Sequence, residues 1–133
     1  MTPAQKVKWL ILAADARLTG GDPPPYPLAD AEERHQALVD AGEHWDATSE
    51  VRGGMHETGL PGQWSRHYES KSVAAQLPDG SWVGWTYWFG GGKYGAPEAI
   101  DWIDDAYDVQ CRDEVRTVQV FSLPVVQPEA APA

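Results

Sequence analysis

One cysteine, Cys111, is all the thiol chemistry this chain holds. An intrachain disulfide is therefore excluded, and the chain suits a reducing compartment. Cys111 has acidic neighbours in sequence, a poor setting for a thiolate nucleophile. Long apolar runs are missing too. Nothing approaches the roughly 18 consecutive apolar residues a membrane-spanning helix needs. The apolar piece from Trp9 to Ala14, behind Lys6 and Lys8, is too short for a signal-peptide core, and Asp15 and Arg17 break it, so no export is expected. Basic side chains are scarce. Ten Lys and Arg stand against 20 Asp and Glu, for a formal net charge of −10. Such a surface repels nucleic-acid phosphates and anionic membranes, so direct nucleic-acid binding is not expected. The acidity serves solubility by itself. As a recognition feature it fits a basic protein surface.

What is present points to one domain. A chain of 133 residues with 42% hydrophobic content can fill a single modest core. Thr2 and Gln5 form a capping-box pattern with Pro3 at the first helical position. Val7, Leu10, Ile11, Ala14 and Leu18 follow at helical spacing. The pattern predicts a helix over 3–19; a buried strand over 7–13 is the rival. The stretch DPPPYP at 22–27 forbids regular structure. Asp30 and Glu33 suggest a second capping box, for a short surface helix that Gly42 ends. Residues 43–66 read as an irregular, glycine-rich loop, with Trp45 and Trp64 expected to pin its ends to the core.

From His67 the texture is that of strands. Segments 67–77 and 81–89 flank Pro78-Asp79-Gly80, a three-residue hairpin turn. Trp82, Trp85 and Trp88 place aromatics on both faces of the second strand, which predicts a central strand covered on both sides. After Gly90–Gly95, Pro97 opens an expected acidic helix over 97–105. Strands at 106–112 and 115–122 close the pattern, and 124–133 has the composition of a disordered tail. The fold class is thus α+β: an antiparallel sheet of about four strands, an N-terminal helix packed on it, and a short acidic helix between hairpins. The domain is expected to span 1–123.

No catalytic motif of high specificity appears. GGGKYG at 90–95 invites a phosphate-loop reading. Tyr94 occupies the place of the required Ser or Thr, however, and Ala96-Pro97 intervenes before any helix. A hinge using glycine's free φ explains the run better. Asp101, Asp104, Asp105 and Asp108 share one face at helical spacing. Three uses compete for them: a solvated face, a divalent-cation site without the EF-hand pattern, or recognition of a protein partner. His35, His44, His56 and His67 are scattered and match no zinc spacing. Ser65, Ser70, Ser72 and Ser81 lie in no nucleophile-elbow pattern. Strand aromatics can stack bases, but Lys93 is the only basic side chain between Ser72 and Gln110.

The block from Asp79 to Gly95, DGSWVGWTYWFGGGKYG, with Pro97-Glu98, Asp101-Trp102 and Asp105-Ala106-Tyr107 after it, resembles small proteins encoded by tailed phages and prophages. The resemblance covers 67–122. It implies a phage or prophage setting in a bacterial cytoplasm and carries no functional residues. The sequence as a whole points to a non-enzymatic acidic accessory protein without cofactor. Its partner would be a host or phage protein with a basic surface, engaged as by an inhibitor. The partner-binding residues would be Asp101, Asp104, Asp105, Asp108, Lys93 and Tyr94. A metal-assisted hydrolase using the aspartates, or a virion assembly component, is the alternative.

Overall fold

The helix at the start of the chain is set by its own first four residues. In the computed structural model, which describes residues 1–125, α1 runs Pro3–Leu18. The Thr2 hydroxyl accepts from the Gln5 N–H at 3.2 Å, and the Gln5 side-chain oxygen accepts from the Thr2 N–H at 2.9 Å. Both halves of the capping box are therefore made, and the rival strand is excluded. Val7, Leu10, Ile11 and Ala14 are buried as the spacing predicts, joined by Trp9 and Ala13. Leu18 is not; it is the last helical residue and lies exposed where the chain turns off at Thr19.

Helix α2 spans Ala31–Asp40. The second capping box does not form: the Asp30 carboxylate pairs with Arg34 at 3.0 Å and caps nothing. Ala31 and His35 are its buried residues.

Four strands follow: β1 His56–Glu57, β2 Glu69–Gln76, β3 Trp82–Phe89 and β4 Tyr107–Val109. They form one antiparallel sheet in the order β1-β2-β3-β4. The architecture is α+β, with the N-terminal helix first. The β2–β3 hairpin closes at Pro78-Asp79-Gly80, with Gly80 at φ +89° and the Leu77 N–H donating to the Ser81 carbonyl at 2.8 Å. Asp79 accepts from the Ser81 hydroxyl and N–H, and these bonds hold its carboxyl below the usual range.

Strand β3 is interior. Val83 and Trp85 are fully buried in the core that α1 also fills, while Thr86 and Trp88 are buried on the opposite face. Trp82 is only half-buried, because it lies at the strand's start next to His56 at the sheet edge.

Residues 43–66 correct the sequence reading most. They hold a helix, α3 Trp45–Arg52, as well as β1. Trp45 and Trp64 pin nothing, being 69% and 84% exposed. The pins are Ala47, which is buried, and Arg52. The Arg52 carbonyl accepts the Trp85 indole N–H at 2.8 Å; its guanidinium donates to the Trp88 carbonyl and lies 4.6 Å over the Tyr87 ring. Beyond β1, the Thr58 N–H donates to the Ser72 carbonyl, and the Ser70 and Ser72 hydroxyls donate to the carbonyls of Gln63 and Pro61. These bonds lay 58–63 along β2.

The expected strand at 115–122 is absent. Residues 110–125 have no regular structure and are exposed, and the fourth strand is β1 on the far edge. Cys111 accordingly lies beyond β4, exposed, and not within a strand. The remaining tail, 126–133, lies outside the described residues.

His35 gives the α1–α2 packing a pH dependence. It is 8% exposed and its Nε2 has no hydrogen-bond partner among the described residues. Burial pushes its pKa down, aided by Lys8 and His44. A depressed folded pKa means the unfolded chain binds more protons, so stability is full above about pH 6.5 and is lost as pH falls through the folded value. The urea midpoint should therefore drop between pH 7.5 and pH 5.5, and drop less in His35→Gln. Equal drops would show that His35 plays no part.

Candidate functional site

The acidic segment begins where β3 ends. Gly90, Gly91 and Gly92 all take positive φ, at +74°, +89° and +51°. The need is clearest at Gly91, where a Cβ would meet Tyr68 Cε1 at 2.6 Å. The glycines thus fold the chain tightly past a tyrosine ring. They lead into a 3-10 turn, Gly92–Tyr94, and then a second one, Pro97–Ala99. Among the described residues no α-helix follows the glycines, so the phosphate-loop arrangement of backbone N–H groups at a helix start is not built here.

The expected helix over 97–105 is also absent. Its place is taken by the Pro97–Ala99 turn and a bend stabilised by Asp101, whose carboxylate accepts from the Ile103 and Asp104 N–H groups at 3.2 and 3.4 Å. Short acidic side chains compete for backbone donors in this way, and here the local turn wins over the helix. Trp102, between the two, is 4% exposed and packs against Trp85 with ring centroids 5.3 Å apart. One indole thereby fastens the loop to the centre of the core.

The aspartates consequently do not form a helical stripe. Asp101, Asp104 and Asp105 are exposed on the bend around Trp102. Asp108 is on β4 and is not free, since its carboxylate accepts from Lys6 Nζ of α1 at 2.6 Å. That bond holds the Lys6 pKa above its ordinary value. Lys93 lies in the Gly92–Tyr94 turn, exposed, and Tyr94 ends that turn. The structure thus gathers Asp101, Asp104 and Asp105 and assigns Asp108 to an ion pair. The signal for that pair is not local, because Lys6 and Asp108 are 102 positions apart.

Crowding shows in the charges. The Asp104 carboxyl is held above the usual carboxylate range, first by its hydrogen bond with Asp101, then by the Asp101 charge, with burial and Asp105 adding; Lys8 works against the rise. Among the described residues no three His, Cys, Asp or Glu side chains converge as ligands for a metal ion. What the arrangement offers is a fixed cluster of carboxylate acceptors in water, suited to Lys and Arg side chains of a second molecule. No helix among the described residues is long and apolar enough to cross a membrane. No protein-family model, curated protein or solved structure matches this chain.

Proposed function

We propose that this chain is a non-enzymatic, acidic accessory protein of phage or prophage origin. It acts in the bacterial cytoplasm by occupying a basic surface on a host or phage protein, as an inhibitor would. The observation that carries the reading is the Asp101–Asp104–Asp105 bend. Its carboxylates are exposed, yet Trp102 holds them in place from beneath. The hydrogen bond with Asp101, and then the Asp101 charge, hold the Asp104 carboxyl above the usual range in the free protein, and cationic side chains from a partner would offset the charge part. Flexible acidic tails serve solubility as well as a fixed cluster does, so solubility alone gives no reason to anchor one. Lys93 and Tyr94 precede the bend in the chain and belong to the same proposed face. The net charge of −10 supports a basic protein partner and argues against direct nucleic-acid binding.

Changing Asp101, Asp104 and Asp105 to Asn tests this. Asparagine keeps the shape and a carbonyl acceptor for the turn, and removes three charges. The fold should survive. The protein that wild-type bait retains from bacterial lysate at low salt should be retained about ten-fold less by the variant. Raising the salt toward 1 M, where charges are screened within about 3 Å, should release it from wild type as well. Equal retention by the variant at low salt would refute the assignment of the bend.

A further inference from the structure

The end of the β2–β3 hairpin away from its turn presents side chains that the fold leaves unused. An open hollow of about 540 Å³ lies there, with Gln63, Trp64, Arg66, Glu69 and Phe89 among its walls. That volume falls within the roughly 300–1,000 Å³ of small-molecule sites. Trp64 is 84% exposed, although indoles are mostly buried in folded chains. The loop that carries it is tied down on both sides: the Ser70 hydroxyl donates to the Gln63 carbonyl, and the His67 N–H donates to the Ser65 hydroxyl. Arg66 differs from the other cations. Every other Lys and Arg side chain has an ion pair, a hydrogen bond or a ring contact, and Arg66 has none among the described residues. The Glu69 carboxylate, on the same hollow, has no hydrogen bond or ion pair among them either, and the two do not pair with each other.

We infer that this hollow is a saccharide site, taking a pyranose ring whose hydroxyls are equatorial. Such a ring keeps an unbroken face of C–H bonds, and the weakly positive hydrogens of that face stack on the negative face of an open indole. Phe89 is already engaged, its ring 5.8 Å from that of Tyr87, which leaves Trp64 as the platform. Each sugar hydroxyl both donates and accepts. Arg66 brings a fork of donors, Glu69 a pair of acceptors, and the Gln63 amide one group of each kind. Charge decides between ligand classes. A cation and a carboxylate on one hollow cancel, so the site calls for a neutral ligand, and a neutral ligand is not repelled by a body of charge −10. A nucleotide base would suit Trp64 as well, but its phosphate would face Glu69 and the net charge. A purely apolar ligand would desolvate Arg66 and Glu69 without replacing their hydrogen bonds to water. This site is separate from the acidic bend and does not depend on the protein partner proposed for it.

Titrating the ¹⁵N-labelled full chain with cellotriose, and separately with the β-1,4-linked trimer of N-acetylglucosamine, tests this by nuclear magnetic resonance. The seven tryptophans give indole N–H signals, and the one that vanishes in Trp64→Ala is that of Trp64. At least one trisaccharide should move the Trp64 signal, with affinity on the order of millimolar, and leave those of the buried Trp85 and Trp102 in place. Trp64, Arg66 and Glu69 are exposed, so Trp64→Ala, Arg66→Gln and Glu69→Gln should all fold. Each should weaken binding about ten-fold, read for Trp64→Ala from the backbone amides of 63–70. No shift of the Trp64 signal with either trisaccharide at about 10 mM would overturn the inference. So would binding that Trp64→Ala and Arg66→Gln leave unchanged, or adenosine monophosphate moving the same signal at lower concentration than either sugar.

Discussion

Trp85→Ala should lower stability by about 3–5 kcal/mol, the range for removing a large aromatic from a packed core. Trp85 is fully buried on the interior strand and meets three parts of the chain at once. It shares the core with α1, its indole N–H donates to the Arg52 carbonyl at the end of α3, and its ring packs on Trp102. Truncation opens a cavity and also deprives that carbonyl of its donor, a further cost for a partly buried acceptor. Against a total stability of typically 5–15 kcal/mol the loss is severe. Urea unfolding followed by far-UV circular dichroism measures it, since fluorescence would change with the indole itself. The loss should also loosen the acidic bend, because Trp102 packs on that ring. An unchanged midpoint would mean that Trp85 is not a core residue.

Gly54→Ala should be costly for a different reason. Gly54 joins α3 to β1 at φ +70°, and a Cβ there would meet Val73 Cβ at 2.7 Å and the Ala74 carbonyl oxygen at 3.3 Å. Left-handed backbone costs an alanine about 1–2 kcal/mol, and overpacking against a fixed strand adds about 1–3 kcal/mol. Together about 2–5 kcal/mol is expected. Gly42→Ala provides the control: φ is +71°, but nothing lies within 4 Å of the added carbon. It should lose only the backbone part. If the two variants unfold at the same urea concentration, the close approach of Gly54 to β2 is wrong.

The parts of this fold that local chemistry specifies could be read from the sequence. Thr2, Pro3 and Gln5 announce α1 within four residues, and Pro78-Asp79-Gly80 fixes both the turn and the register of β2 against β3. Helix α3 has no such signal. WDATSEVR lacks a side-chain cap, is poor in strong helix formers and is followed by Gly53 and Gly54. It is held by Ala47 in the core and by Arg52 bridging to Trp85, Trp88 and Tyr87, contacts more than 30 residues away. A two-residue strand such as β1 has no periodicity to detect. The acidic segment misled in the opposite direction. Its helical spacing was real as a pattern, but Asp101 takes the backbone donors a helix would need, and burial of Trp102 fixes the bend. The residues of the candidate site were therefore visible as a cluster of charge, while its geometry, and the removal of Asp108 to Lys6, depended on long-range packing. In the 115–122 segment the alternation misled as well: the expected strand does not form, and among the described residues no strand pairs with it.

Hydrogen exchange, read by mass spectrometry on the free protein and on its complex with the retained lysate protein at low salt, tests the proposed function most directly. Amides of the bend, from Asp101 through Ala106, should exchange more slowly in the complex, and the protection should fade as salt is raised. Protection confined to other elements, with the bend exchanging as in the free protein, would contradict the account.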